Sequence, residues 1–139
     1  MIKLVAFDLD GTIADTIPMC IEAFKQAVSP YASKILSEND IVKTFGLNEE
    51  GMIKEVVSED WEKALIDFYV IYKEMHTVYI QPFVGIRELI TELKKNSIIV
   101  SLITGKGQRS CDITLHHFEM EALFNSISCL LYTSDAADD

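Results

Sequence analysis

The feature that most constrains the fold is an apolar run near the N-terminus that stops at two closely spaced aspartates. Residues 2–7 are apolar apart from Lys3, and the stretch VAFDLDGTIAD then places Asp8 and Asp10 one residue apart, followed by Gly11. Such a run is typical of a parallel strand that is covered on both faces. Residues i and i+2 of an extended chain point the same way, so the two carboxylates can converge on one point.

Beyond this strand, the sequence shows a succession of helical patterns and one further clear strand. Apolar residues at spacings of three and four predict amphipathic helices, and Ser37 with Asp40 has the spacing of a capping box for one of them. Strands separated by helices indicate an α/β fold with a parallel, Rossmann-like sheet. The predicted helices cover about 17–28, 38–46, 51–57, 61–75, 85–95 and 108–118, and the later strands cover 97–103 and 123–128.

The helical stretch 16–81 is too long for a single crossover between two strands. We therefore expect it to form a helical insertion beside the sheet, with residues 1–15 and 82–128 making up the α/β core. Within this insertion, aromatic and aliphatic side chains recur at helical spacing over 61–75. That spacing favours a packed core over a ligand-binding box.

Charge and composition argue against several classes of function. The chain carries 22 acidic and 12 basic residues, for a net charge of -10, whereas nucleic-acid binding needs clustered Lys and Arg. The negative net charge is still compatible with a small phosphorylated ligand, because a bound metal ion makes the local electrostatic potential positive. Cys20, Cys111 and Cys129 are odd in number and far apart, which favours free thiols in a reducing cytosol. Without a signal peptide or a membrane-length apolar run, we expect a cytoplasmic protein; the oligomeric state stays open.

Polar residues follow the two clear strands, at the points where ligands bind in open parallel sheets. Asp8 and Asp10 end the first strand, and Thr104 and Gly105 end the second. A short Asp-x-Asp-Gly run is also a common turn and helix cap, so the functional interpretation depends on both strand ends together. Two adjacent carboxylates are tolerated when they share a proton or a hard cation such as Mg²⁺. Gly11 lets an anion approach the backbone closely, and the Thr104 hydroxyl and the Gly105 amide can donate hydrogen bonds to it. Together with the two carboxylates, these groups suit phosphoryl transfer.

The stretch FDLDGTIAD resembles the first motif of the haloacid dehalogenase-like hydrolases, in which a strand is followed by Asp-x-Asp-Gly-Thr. VSLITGK is similar to the second motif, a strand that ends in Ser or Thr, and 16–81 has the position and type of that family's helical cap. The likeness is greatest to the branch with phosphoglycolate phosphatases, β-phosphoglucomutases and pyrophosphatases. It runs from residue 1 to about 128.

The resemblance implies a Mg²⁺-dependent phosphatase that hydrolyses a small phosphorylated metabolite through an aspartyl-phosphate. It makes Asp8 the nucleophile and Asp10 the general acid and base, and both of them Mg²⁺ ligands, Asp10 through its main-chain carbonyl. Two alternatives stay open: a phosphosugar mutase of the same superfamily, which returns the phosphoryl group to a sugar, and an inactive fragment. The phosphate-binding groups that the resemblance implies are Gly11, Thr12, Thr104 and Gly105.

Four further polar residues near the second motif are expected to lie outside the site. The family's cationic residue lies on a later segment, so we expect Lys106 and Arg109, which follow the second motif directly, at the surface or rim. His116 and His117 are adjacent and therefore diverge on a helix. We expect them to be ordinary surface or partly buried histidines and not metal ligands.

Two features of the helical stretch have structural explanations. Asp15 directly precedes the first helical pattern, and we expect it to cap that helix. The turn at 44–46 contains a glycine, which favours a plain helix end over a contact with substrate.

The family pattern is incomplete at the C-terminal side. Another βαβ unit of roughly 30 residues would be needed to bring the third-motif cation and the fourth-motif acids. Instead the chain closes with CLLYTSDAADD, and no Lys or Arg follows Arg109. We expect residues 129–139 to be a non-native tail, and Asp135, Asp138 and Asp139 not to bind metal.

Overall fold

The structure is a computed structural model that describes residues 1–130. The predicted tail therefore lies outside the described residues from 131 onwards. In chain order the elements are β1 (Leu4–Phe7), α1 (Ile17–Val28), α2 (Glu38–Val42), α3 (Glu49–Val56), α4 (Trp61–Tyr79), α5 (Ile86–Lys95), β2 (Ile99–Gly107), α6 (Gln108–Phe118), a 3-10 turn (Glu121–Leu123) and β3 (Ser126–Leu130).

Local sequence signals account for most of these boundaries. The capping box is present: the Ser37 side chain accepts a hydrogen bond from the Asp40 amide, and the Asp40 side chain accepts one from the Ser37 amide. The helix that it begins ends at Val42, earlier than expected, and the chain then turns through Gly46 at a φ of +106°. β3 includes Cys129 and Leu130, beyond the expected strand end at 128.

The three strands form one parallel sheet in the order β1-β2-β3, with β2 in the centre. Leu4 pairs with Ile99 at the start of β1, and Leu102 pairs with Ile127 in the middle of β2. The predicted α/β fold with a parallel sheet is therefore confirmed. Because the strands are parallel, the carboxyl ends of β1 and β2 meet at the same edge of the sheet.

Two hydrophobic clusters hold the structure together. One gathers buried side chains of β1, β2, α5 and α6, and the other gathers those of α1 to α4. In the second, Phe68 stacks on Tyr72 at 5.3 Å between ring centroids and meets Phe24 edge-on at 6.3 Å. These aromatic side chains are fully buried, so the expected packed core of α4 is confirmed. The helical cluster lies within 16–81. That these residues form an insertion separate from a core made of 1–15 and 82–128 remains a prediction.

The expectation that both faces of β1 are covered is wrong for the part of the chain that the structure describes. Leu4 is 52% exposed and its partner Ile99 is 48% exposed, while Ile103, two pleats further along β2, is 57% exposed. Phe7 and Leu102, which alternate with them, are buried. Helices therefore cover one face of the sheet, and the apolar run in β1 reflects a second face that residues 1–130 leave open.

Asp15 does not cap α1, contrary to expectation. The N-cap residue is Thr16, and no side chain caps the helix. Pro18 lies in the first turn and has no N–H to donate, which reduces the need for a cap. Among residues 1–130, no helix is long and apolar enough to cross a membrane.

Candidate active site

A cleft of about 250 Å³ lies at the carboxyl edge of β1 and β2, where the helices approach the sheet. Its sheet side is formed by the residues that follow the two strands, and its other side by α1, the segment 45–52 and α4. The residues that line it are Asp8, Asp10, Ile17, Cys20, Phe45, Gly46, Leu47, Glu49, Met52, Phe68, Thr104, Gly105 and Lys106. The two strand ends singled out in the sequence therefore do meet in one cavity.

Asp8 and Asp10 differ in their surroundings although both face the cleft. The Asp8 carboxylate is exposed, and its Oδ1 accepts one hydrogen bond, of 2.7 Å, from the Leu9 amide. The Asp10 carboxylate is partly buried and occupied on both oxygens: Thr16 donates to Oδ1, and Lys106 Nζ lies 3.1 Å from Oδ2. Asp8 is thus the more accessible of the two carboxylates, whereas both oxygens of Asp10 have donors.

Lys106 is part of the site and not of the rim, so the sequence expectation was wrong. Its side chain is 3% exposed and points to Asp10, with Nζ 4.8 Å from the centre of the Tyr72 ring. The reason is that β2 continues to Gly107, with a register irregularity after Ile103, and carries Lys106 to the same side as Thr104. The i, i+2 rule applied to Asp8 and Asp10 would have placed Lys106 beside Thr104 only if the predicted strand had continued beyond Ile103.

The charge of Lys106 is retained despite its burial. Burial itself disfavours the ammonium, but interactions with neighbouring acidic groups, among them the Asp10 carboxylate at 3.1 Å, outweigh it and raise the pKa of Lys106 well above its usual value. Conversely, burial raises the pKa of the Cys20 thiol, and Lys106 only partly offsets this. The site therefore contains a fixed cation beside a neutral thiol.

Thr104 and Gly105 lie where the sequence placed them, beside the acidic pair. Thr104 is buried, and its Oγ1 accepts a 3.1 Å hydrogen bond from the Lys106 amide. Gly105 has open space on its side-chain face, where an added Cβ would meet no atom within 4 Å. α6 begins three residues later at Gln108, so the Gly105 amide lies near the start of that helix.

Gly11 and Thr12 are not among the residues that line the cleft. They form the turn that follows Asp10: Gly11 has a φ of +78°, its amide donates to Ala14 O, and the Thr12 amide donates to Leu9 O. A positive φ favours glycine here, because L side chains rarely adopt it. In the structure, these two residues form the turn that leads the backbone from Asp10 to α1.

Glu49 is a site residue that the sequence analysis missed. It is the first residue of α3, it is 4% exposed, and it accepts a hydrogen bond from the Ser110 hydroxyl in α6. A Cβ at Gly107 would overlap its carboxylate. No local sequence signal marks Glu49, because its position in the site depends on a contact between the start of α3 and Ser110 at the start of α6.

The turn at 44–46 contributes to the cleft after all. Phe45 and Gly46 line it, whereas the Thr44 hydroxyl donates to Ile41 O at 2.6 Å and is turned away into the helix end. The expected helix end and a contact with the cavity therefore occur in the same turn.

Three other polar residues lie outside the cleft, as expected. Arg109 is exposed and lies over the Tyr69 ring at 4.4 Å. His116 is exposed and pairs with Glu121 at 2.9 Å, and His117 is partly buried. No group of three or more His, Cys, Asp or Glu side chains in residues 1–130 is arranged to hold a metal ion. The available ligand is the Asp8 carboxylate, which fits a Mg²⁺ ion that takes one or two carboxylates together with water and phosphate oxygens.

Known proteins resemble this chain in sequence. The family profile described as haloacid dehalogenase-like hydrolase matches residues 5–136. Pyrophosphatase PpaX of Bacillus mycoides is 21% identical over 126 residues, which cover 91% of this chain and 59% of that protein. The chain thus spans about three fifths of the length of this relative.

Two solved structures share the fold. A predicted phosphoglycolate phosphatase from Haemophilus somnus superimposes with a TM-score of 0.75 at 20% identity, covering 93% of this chain and 63% of that one. CbbY from Rhodobacter sphaeroides, in complex with phosphate, gives a TM-score of 0.75 at 17% identity, covering 93% and 64%.

Proposed function

Since the chain belongs to the haloacid dehalogenase-like hydrolases, we propose that its cleft is the reacting part of a Mg²⁺-dependent phosphatase for a small phosphorylated metabolite. The observation that carries the proposal is the meeting of an exposed carboxylate, a held carboxylate, a hydroxyl and an ammonium in one cavity. These groups are Asp8, Asp10, Thr104 and Lys106. They are the parts that phosphoryl transfer requires.

Asp8 is the nucleophile in this proposal because its carboxylate is exposed to the cleft. A carboxylate oxygen attacks phosphorus, the bond from phosphorus to the leaving oxygen breaks, and an aspartyl-phosphate forms on Asp8. Asp10 must enter this step protonated; it gives that proton to the leaving oxygen and, as a carboxylate, then takes a proton from the water that attacks the intermediate. In that second step the water oxygen bonds to phosphorus, the bond between phosphorus and Asp8 breaks, and inorganic phosphate leaves. In the carboxylate form, Thr16 and Lys106 hold Asp10 in one orientation.

Thr104, Gly105 and Lys106 stabilise the transferring group. The Thr104 hydroxyl and the Gly105 amide lie beside the cavity as hydrogen-bond donors for phosphoryl oxygens, and the open face of Gly105 admits them closely. Lys106 adds positive charge next to Asp10, where negative charge develops on the leaving oxygen. Gly11 and Thr12 act through the turn that positions Asp10.

Mg²⁺ would be held by the Asp8 carboxylate and by Asp10 through its main-chain carbonyl, with water and substrate oxygens as further ligands. When bound, it supplies charge that offsets the phosphate and the carboxylates. We place the helical residues 16–81 as a cap over residues 1–15 and 82–128, because Phe45, Gly46, Leu47 and Glu49 close the cleft from that side.

The substrate is proposed only as a class. The relatives carry the names pyrophosphatase and phosphoglycolate phosphatase, and the chain spans about three fifths of their length. A cleft of about 250 Å³ has room for a phosphate group with a short organic part.

The test is release of inorganic phosphate from p-nitrophenyl phosphate in the presence of Mg²⁺, comparing the 139-residue chain with its Asp8→Asn variant. We expect slow turnover that falls at least about 1,000-fold in Asp8→Asn, since the amide is a poor nucleophile. Asp15→Asn is the matched control: it removes an exposed carboxylate from the same loop, outside the cleft, and is expected to keep turnover. Equal loss in both variants, or none in Asp8→Asn, contradicts the assignment.

A further inference from the structure

Tyr72 is a fully buried residue of α4 that contacts the cation of the site, although it is not among the residues that line the cleft. Lys106 Nζ lies 4.8 Å from the centre of the Tyr72 ring. At that distance the negative face of an aromatic ring attracts an ammonium, and the attraction is greater where water is excluded. The Lys106 side chain is 3% exposed, so this condition is met.

The Tyr72 ring is itself held from several sides. Phe68 stacks on it at 5.3 Å between ring centroids, and His76 meets it edge-on at 4.5 Å. At the other end of the side chain, Tyr72 Oη lies 3.3 Å from Thr114 Oγ1 in α6, which in turn lies 2.9 Å from His76 Nε2. The ring is therefore a fixed surface between α4 and α6, against which the flexible lysine side chain packs.

The contact with Tyr72 differs from the other polar contacts of Lys106 in one respect. Lys106 Nζ also lies 3.1 Å from Asp10 Oδ2 and 3.9 Å from Cys20 Sγ. In the proposed reaction Asp10 is protonated before it transfers its proton to the leaving oxygen, and in that state it no longer attracts Lys106 as a carboxylate. The attraction to the Tyr72 ring does not depend on the charge of Asp10, and the Cys20 thiol is only a weak acceptor.

We propose that Tyr72 is a positioning residue that keeps the Lys106 ammonium beside Asp10 in both protonation states of Asp10. This inference rests on the proposed function and adds to it a contribution from α4. Because Tyr72 does not line the cleft, it acts through Lys106 and not by contact with the substrate. The aromatic ring carries the effect, since it is the ring that faces the ammonium.

The first test compares turnover of p-nitrophenyl phosphate with Mg²⁺ in the wild-type chain, Tyr72→Leu and Tyr72→Phe. We expect kcat to fall about tenfold in Tyr72→Leu and KM to change less than about threefold, because Lys106 acts on the charge that develops at the leaving oxygen. Tyr72→Phe keeps the ring and should have a kcat within about threefold of the wild type. An unchanged kcat in Tyr72→Leu would contradict the inference.

Phe24→Leu is the matched control for the cavity that Tyr72→Leu leaves. Phe24 is fully buried in the same helical cluster and lies outside the cleft lining. This variant should lose stability to urea, as Tyr72→Leu does, and keep the wild-type kcat. An equal loss of kcat in the two variants, at a temperature where both are folded, would assign the effect to a loosened core and overturn the inference.

A double-mutant cycle tests whether Tyr72 acts through Lys106. Adding Tyr72→Leu to a chain that already carries Lys106→Met should change kcat by less than about twofold, because the ammonium that the ring holds is gone. A further tenfold loss in the double variant would show that Tyr72 acts by another route, and the inference would be wrong.

A readout independent of turnover is the Nζ–H NMR signal of Lys106 in chains labelled with ¹⁵N-lysine, recognised by its absence in Lys106→Met. Ammonium protons exchange rapidly with water at exposed lysines and slowly at a buried, paired one. The signal should be present in the wild type, Tyr72→Phe and Phe24→Leu and lost in Tyr72→Leu. A signal that persists in Tyr72→Leu, or none in the wild type, would overturn the inference. If the signal depends on Tyr72 as expected but the wild type releases no phosphate, the proposed function fails and the placement of Lys106 by Tyr72 stands.

Discussion

Lys106 Nζ lies 3.1 Å from Asp10 Oδ2, so a cation at the end of β2 is joined to a carboxylate at the end of β1. The two strands are held in register by their backbone pairing, and this ion pair links side chains at their carboxyl ends. The pair also places a positive charge within the second motif, whereas the family resemblance places the cationic residue of the site on a later segment.

Replacing Lys106 with Met is expected to abolish most of the phosphatase activity. The change keeps an unbranched apolar stem over Tyr72 but removes the charge beside Asp10. We expect kcat/KM for phosphate release to fall about 100-fold or more, and the free energy of unfolding to fall by about 1–2 kcal/mol. Lys54→Met removes a lysine from the exposed pair with Glu50 and is the control. It should change neither kcat/KM nor the free energy of unfolding by much. Full activity in Lys106→Met would remove Lys106 from the site.

Gly107→Ala is expected to displace the Glu49 side chain from its contact with the start of α6. The added Cβ would overlap the Glu49 carboxylate, so the helix or the side chain must shift. We expect a loss of about 1–3 kcal/mol in urea unfolding. Gly105→Ala, where the added Cβ meets open space, should be neutral or slightly stabilising. Equal stability of the two variants would show that Glu49 is not held against Gly107.

Parts of this arrangement could be predicted from the sequence and parts could not. The bounds of α6 and the capping box of α2 follow from local signals, and the convergence of Asp8 with Thr104 follows from the strand order. Lys106 was misplaced because the continuation of β2 beyond Ile103 depends on pairing with β3. Glu49 could not be found, because its contacts with Ser110 join residues 61 positions apart.

The buried His76 predicts a specific dependence of stability on pH. Its Nδ1 lies 2.6 Å from Tyr72 O and its Nε2 lies 2.9 Å from Thr114 Oγ1, which links α4 to α6. Burial lowers the pKa of His76 below 6.5, with His117 and Lys106 acting in the same direction and the Tyr72 carbonyl and Asp10 opposing them. Between the lowered pKa and 6.5 the unfolded chain binds more protons, so stability is lost as pH falls through that window.

Urea unfolding of the wild type and of two variants between pH 7.5 and 5 measures this effect. The free energy of unfolding should change less with pH in His76→Gln than in the wild type, because the titrating group is gone. The wild-type dependence on pH should persist in His116→Gln, which removes an exposed histidine from α6. A slope that is the same in all three chains would assign the pH dependence to other groups.

The open face of the sheet predicts self-association of the 139-residue chain. Leu4, Ile99 and Ile103 lie on this face and are about half exposed. Contiguous exposed apolar area of this kind promotes association. We expect Ile99→Lys to lower the sedimentation-derived association constant several-fold, and Ile66→Lys, at an equally exposed position on α4, to leave it unchanged. A monomeric wild-type chain at high concentration would contradict the prediction.

The central claim is that Asp8 forms a covalent bond to phosphorus, and chemical trapping tests it most directly. The chain is incubated with a phosphate ester and Mg²⁺, reduced with borohydride, which converts an aspartyl-phosphate to homoserine, and sequenced by tandem mass spectrometry. The account predicts homoserine at position 8, none at Asp10 or Asp15, and none anywhere in Asp8→Asn. Phosphate release accompanied by intact Asp8, or by homoserine at another position, would contradict it.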